Sequence, residues 1–294
     1  MKRMWSVLGA GLIVGLAVTP LLSCNVIQGD LELLVDEQTS IYSPCWGPDG
    51  EYIYYLLASI WGSETGSLWV IDLETLETER ITGEEQEIPV FDLSPDGSEI
   101  CFARASSWLY FIRTEDGSLY DSLLLDSVIY YISSNPPRFS RQDPDFIYYL
   151  STINDSILLH QIKRSDESDK VLLSLPRPEH ITRFNISCDG SRVLIGDTIY
   201  SLKGNTSVSL DRKLGFVDWH PTDPDFLVGT MADGWLCFYD LSEDKWSKAK
   251  VNPYKPSINA EVRFSPDGER IAVTSKPEGG EFTEYALWFF DPSN

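Results

Sequence analysis

The sequence predicts an all-β fold, a six-bladed β-propeller, on three observations. A turn phrase recurs six times, the segments after each turn read as strands, and the two chain ends supply complementary parts of one blade. The phrase is clearest as Ser94-Pro95-Asp96-Gly97 and Ser265-Pro266-Asp267-Gly268, with weaker copies at Gly47–Gly50 and Ser187–Gly190. Two longer relatives, Ser140–Asp145 and His220–Asp225, replace the glycine. Starts at 47, 94, 140, 187, 220 and 265 are separated by 47, 46, 47, 33 and 45 residues, the length of a four-stranded repeat.

Each element of the repeat has a physical reason. A large apolar residue precedes every turn: Trp46, Leu93, Phe139, Ile186, Trp219 and Phe264. These end the innermost strand, A. Proline then fixes φ near −65°, aspartate caps the backbone and glycine accepts a positive φ, closing a tight hairpin. That chemistry makes Asp49, Asp96, Asp189 and Asp267 structural rather than catalytic. Three residues beyond the glycine an aliphatic residue (Ile53, Ile100, Val193, Ile271) opens strand B, with Ile147 and Leu227 in the longer turns. Strand C follows as Leu68–Asp72, Leu109–Ile112, Ile157–His160, Ile199–Leu202, Leu236–Asp240 and Leu287–Asp291. Its closing aspartates Asp72, Asp240 and Asp291 are expected to cap the next turn. A shorter, more polar strand D comes last, as at Glu77–Thr82. The fourth repeat is minimal, its B and C strands joined through Gly196-Asp197. The sixth repeat stops after its C strand, while Leu31–Val35 is an apolar strand with no blade of its own. That strand is expected to complete the sixth blade and close the ring without a long open edge.

Residues 1–23 read as a lipoprotein signal peptide: Lys2 and Arg3, then an apolar stretch from Val7 to Leu22 broken by glycines and Pro20. Leu21-Leu22-Ser23-Cys24 resembles a bacterial lipobox, which implies acylation of Cys24 and export to a bacterial cell membrane or outer membrane. The expected organisation is then a lipid-anchor linker over 24–30 and a propeller over 31–294.

All 45 acids but only 21 of the 23 bases follow residue 24, a formal charge of −24 for that part. Such a surface repels nucleic acid and favours solubility, consistent with a monomer. Cys45, Cys101, Cys188 and Cys237 fall in different repeats without a C-x-x-C pair, so free buried thiols are expected. His160, His180 and His220 are equally scattered, and no metal or cofactor motif is present.

The turn phrase, the apolar strand after it and the L-W/Y-V/F-x-D strand together resemble the TolB-like, WD-repeat-like propeller repeats over residues 31–292. The resemblance implies a rigid, non-catalytic scaffold that binds protein or peptide partners. Relatives with an appended hydrolase carry a G-x-S-x-G turn that this sequence lacks. Propeller ligands usually meet the face made by the D–A and B–C loops. Candidates there are Trp61 and Phe282 in polar, glycine-rich B–C loops, and Tyr130, Arg177, His180 and Tyr254 in D–A loops. Arg177, His180 and Arg183 form a basic cluster; Glu84, Glu85 and Glu87 form an acidic rim suited to a basic peptide or a cation. The alternatives are a channel-mouth enzyme of lactonase, glycosidase or lyase type, or a small-solute sensor. An enzyme would draw on Asp92, Asn185, Asp218 and Glu261; the first three share one repeat position, two residues before the turn's first residue.

Overall fold

A computed structural model describes residues 26–35, 40–58, 65–83, 86, 88–104, 107–125, 135–177, 184–204, 206–231, 235–252, 261–275 and 286–290. Every regular element among them is a strand. β1 (Val26–Val35) comes first. Blade 1 is β2 (Ile41–Trp46), β3 (Tyr52–Leu57), β4 (Ser67–Asp72) and β5 (Thr78–Arg80). Blade 2 is β6 (Phe91–Leu93), β7 (Glu99–Arg104), β8 (Trp108–Arg113) and β9 (Leu119–Leu124). Blade 3 is β10 (Arg138–Phe139), β11 (Phe146–Ile153), β12 (Ser156–Lys163) and β13 (Ser168–Pro176). Blade 4, the short one, is β14 (Phe184–Ile186), β15 (Arg192–Ile195), β16 (Thr198–Ser201) and β17 (Ser207–Ser209). Blade 5 is β18 (Leu214–Trp219), β19 (Phe226–Met231), β20 (Leu236–Asp240) and β21 (Lys245–Asn252). Blade 6 takes β22 (Val262–Phe264), β23 (Ile271–Ser275) and β24 (Ala286–Phe290), and its fourth strand is β1.

The expected closure is present: Leu31 to Val35 pairs antiparallel with Phe290 to Leu287. The strand begins earlier than the sequence suggested, at Val26 rather than Leu31. Its first half, Val26–Asp30, runs parallel to Lys248–Asn252 of β21 and joins blades 5 and 6 into one eight-stranded sheet. The outer edge of β21 offers unpaired backbone groups, and the incoming chain satisfies them.

The core lies between blades, not inside them. Ile100 and Phe102 on β7 turn towards blade 1, where they meet Cys45, Leu56 and Leu68. Cys101 and Ala103 on the same strand turn towards blade 3, against Phe139, Ile147 and Tyr149. Blades 3 and 4 share a cluster around Leu159 and Phe184, blades 4 and 5 one around Leu194 and Trp219, and blades 5 and 6 one around Val228 and Trp288. The last junction closes the ring, with Val35, Ala272 and Leu287 packed on Ile41, Ile53 and Tyr55. Both faces of each blade are therefore buried, which explains near-continuous apolar runs such as Leu68–Ile71. The outermost strands β5, β9 and β17 are largely exposed.

The turns behave as their residues require. In blade 2 the Ser94 hydroxyl donates to Asp96 at 2.6 Å and accepts from the Glu99 amide at 3.1 Å. Asp96 also accepts from the Ser98 amide at 3.1 Å, and these bonds, led by that from Ser94, hold its carboxyl below the usual carboxylate range. Blades 4 and 6 repeat the arrangement at Ser187/Asp189 and Ser265/Asp267. In blade 5 the Nδ1 of His220 takes over the serine's accepting role, receiving the Asp223 amide at 3.1 Å. Asp72 and Asp240 cap the turns after their C strands; Asp291 lies outside the described residues. Neighbouring turns also pack on each other. At Gly268 φ is +78°, and an added Cβ would sit 2.1 Å from Nε2 of His220 on the adjacent turn.

Gly268→Ala is expected to lose about 2–3 kcal/mol of stability in urea unfolding, combining left-handed backbone cost with displacement of His220. Gly83→Ala, where an added Cβ meets nothing within 4 Å, is the matched control and should be close to neutral.

Candidate functional site

The A strands converge on the propeller axis, and their pleat decides what reaches it. The last residue of each A strand enters an inter-blade core: Trp46, Leu93, Phe139, Ile186, Trp219 and Phe264 each belong to a different cluster. The residue before it must point the other way. Those residues are Cys45, Asp92, Arg138, Asn185, Asp218 and Arg263, and all six line one cavity of about 250 Å³ where the A–B turns meet. The same cavity is bordered by Arg141, Cys188 and His220 from the turns. It opens at the opposite end of the A strands from the D–A loops that the sequence reading favoured.

The ring is knitted by bonds that cross from blade to blade. Asp92 accepts from Arg138 Nη1 at 3.1 Å and from the Phe139 amide at 3.0 Å. Both side chains of that ion pair are nearly inaccessible. Asp218 accepts from Asn185 Nδ2 at 2.9 Å and from the Phe264 amide at 2.9 Å. Asn185 Nδ2 also donates to the Val217 carbonyl at 3.0 Å. The indoles of Trp46 and Trp219 donate to the carbonyls of Arg263 and Asn185. Asp92 and Asp218 do face the channel, as their position suggested, but both carboxylates are occupied. Glu261 does not join them: it does not line the cavity, and its backbone pairs with Thr274.

The local charge balance is positive. Three guanidinium groups, Arg138, Arg141 and Arg263, face two carboxylates. Burial, together with the neighbouring Arg263, pushes the Arg138 guanidinium below its usual pKa despite Asp92 and Asp218. Arg141 is exposed on its turn, yet loss of hydration beside the cavity acts the same way on its guanidinium; Asp92 and the other acidic groups outweigh it and the pKa rises. Burial pushes the Cys45 and Cys188 thiols up and the His220 imidazole down, so these groups are neutral at pH 7. Arg138 and Arg263 were missed in the sequence, though they occupy the repeat position of Asp92 and Asp218. The four cysteines among the described residues are free, three of them buried and Cys188 partly so.

A second constellation sits in blade 3. Ser151 Oγ lies 2.8 Å from His160 Nε2, and His160 Nδ1 lies 3.1 Å from both oxygens of Asp169. The Tyr149 hydroxyl donates to Asp169 at 2.5 Å, and its ring stacks on His160 at 4.5 Å. The connectivity is that of a nucleophile, base and orienting acid. Ser151 is 0% exposed, however, and no substrate can reach it. The trio spans β11, β12 and β13 and ties three strands together in a hydrogen-bonded network whose serine and histidine are buried and whose Asp169 is half-buried.

Of the sequence-predicted binding residues, Arg177 alone is described. It is exposed just beyond β13, its amide bonded to the Asp155 carbonyl at 2.7 Å. Cys24, Trp61, Tyr130, His180, Tyr254 and Phe282 lie outside the described residues, as do Glu84, Glu85, Glu87 and Arg183. Among the described residues no group of three or more His, Cys, Asp or Glu side chains is placed to hold a metal ion.

No protein-family model matches the chain. Several solved structures are similar in fold. "Structure of U3-55K" covers 89% of this chain and 98% of its own at 11% identity, with a TM-score of 0.59. The RRP9 WD40 repeats cover 89% and 97% at 11% identity and 0.58. An oligogalacturonate lyase in complex with manganese covers 89% and 92% at 12% identity and 0.58. With the strand order, these likenesses establish a six-bladed propeller with WD40-like neighbours.

Asp92→Ala should cost about 3–5 kcal/mol, because it strands the buried Arg138 charge and the Phe139 amide together. Denaturant unfolding checks this; a loss under about 1 kcal/mol, the range of an exposed pair, would contradict the assigned role.

Proposed function

We propose that this protein is a non-catalytic propeller scaffold, exported and held at the cell envelope through acylated Cys24, that binds a protein or peptide partner. The observation that carries this reading is that the axial carboxylates and the described serine–histidine pair are already engaged. Asp92 and Asp218 spend their carboxylates on blade-to-blade bonds, and the Ser151–His160–Asp169 relay is sealed. What remains is a closed ring whose loops can vary without disturbing its core. The WD40-repeat neighbour supports a scaffold by analogy of fold. In this reading Trp61 and Phe282 are the anchors, with Tyr130, Arg177, His180 and Tyr254 around them. A large aromatic in a glycine-rich loop supplies much contact area for little ordering cost.

The lyase among the structural neighbours favours one alternative, an enzyme acting in the channel mouth. Turnover of an acidic sugar polymer such as oligogalacturonate by the purified protein would select it over the scaffold.

The test is a crosslinking pull-down of the intact protein from its own cell envelope. Trp61→Ala and Phe282→Ala should each weaken partner capture by about tenfold, the loss of roughly 1.4 kcal/mol, with an unchanged melting temperature. Capture of the same partners at the same yield by both variants would remove those loops from the interface. Cys24→Ala should move the protein to the soluble fraction, and continued membrane retention would overturn the anchor.

A further inference from the structure

The cavity at the A–B turn end of the channel carries more positive charge than its own structure uses. Of its three arginines, Arg138 alone has a carboxylate within ion-pair distance among the described residues. Arg263 donates one Nη1 bond to the Val262 carbonyl at 3.1 Å. Arg141 is solvent-exposed on the turn after Ser140. Asp218 makes no ion pair with either arginine among the described residues; its two oxygens accept from Asn185 and from the Phe264 amide. The Nε of Arg138 is buried without a hydrogen-bond partner, and Arg138 as a whole is 7% exposed. A buried donor without a partner costs free energy. The remaining titratable groups facing the cavity, Cys45, Cys188 and His220, are neutral at pH 7 and supply no compensating negative charge.

We propose that this cavity is a binding site for a small oxyanion, a carboxylate or a phosphate, held by Arg141 at the mouth and by the buried Arg138 and Arg263 inside it. Guanidinium groups present planar pairs of N–H donors that match the oxygens of either anion. The cavity, about 250 Å³, is smaller than the common range for larger organic ligands. It suits a compact acid of few heavy atoms. The chain's overall charge of −22 works against anions at long range, so selectivity for the site comes from its three convergent arginines rather than from general attraction. The proposal is independent of the partner reading, because it rests on the A–B turn end of the channel and on none of the residues named for the partner.

The test uses the whole mature protein with inorganic phosphate and succinate as separate probes and sodium chloride at matched ionic strength as the control. Saturable stabilisation is expected from at least one probe below about 10 mM, read as a rise in melting temperature that follows the ligand-linkage relation. Chloride should not reproduce it. Phosphate alone, succinate alone, or both will show which oxyanion the site takes. Arg141→Gln leaves the ring bonds intact and should raise the dissociation constant by at least about tenfold, as expected for loss of one charge-assisted bond. Arg263→Gln should do the same. Cys188 gives a second readout on the same cavity: its alkylation by neutral iodoacetamide should slow when the probe is bound. Equal shifts in wild type and Arg141→Gln, a chloride effect of the same size, or no shift with either probe would each overturn the proposal.

Discussion

The constraint on which everything else depends is that a blade of this protein has two apolar faces and no core of its own. Ile100 and Phe102 look one way from β7 and Cys101 and Ala103 the other, so neither set is buried until a neighbouring blade is present on each side. Six such units satisfy one another only in a closed ring. The burden of closure falls on β1, which supplies the missing strand of blade 6 and brings Val35 to the junction with blade 1. Because β1 also pairs with β21, this one strand is bonded to two blades at once. An open form would leave apolar faces and strand edges exposed together, each of them unfavourable in water.

The polar channel mouth is a consequence of that closure. The strand pleat that sends Trp219 and Phe264 into inter-blade cores sends Asp218 and Arg263 to the axis. Closing the ring brings six such residues around one cavity, where Asp92, Arg138, Asn185 and Asp218 bond to each other or to backbone. Asp92 and Asp218 do so by reaching the amide of the next blade, which makes them structural members of the axis. The arginines are longer and more numerous than the carboxylates that answer them, and the surplus charge is what gives this end of the channel its chemical character.

Much of the fold was legible because the turn phrase is constrained by backbone physics. Proline, aspartate and glycine in that order specify one local geometry, so six copies could be counted and the unmatched strand at Leu31–Val35 assigned to the open blade. The earlier start at Val26 was not legible, since it depends on an available edge of β21 more than 200 residues away in sequence. The channel ring was half legible. Asp92, Asn185 and Asp218 were aligned, but Arg138 was passed over where the turn loses its glycine, and Arg263 because an arginine beside a turn reads as surface. The Ser151–His160–Asp169 network needed the registers of β11, β12 and β13, one of which contains a bulge at Leu159/His160, and no spacing in the sequence announces it.

The measurement that bears most directly on this account is native-state hydrogen exchange across β1, β24 and β2 at increasing denaturant. If ring closure by β1 is the condition for the whole propeller, the amides of Leu31–Val35 exchange only through global unfolding, with the same denaturant dependence as the interior strands of blades 2 and 3. Exchange of β1 through a low-energy local opening, with the other blades still protected, would contradict it and make the N-terminal strand an accessory to an already stable ring.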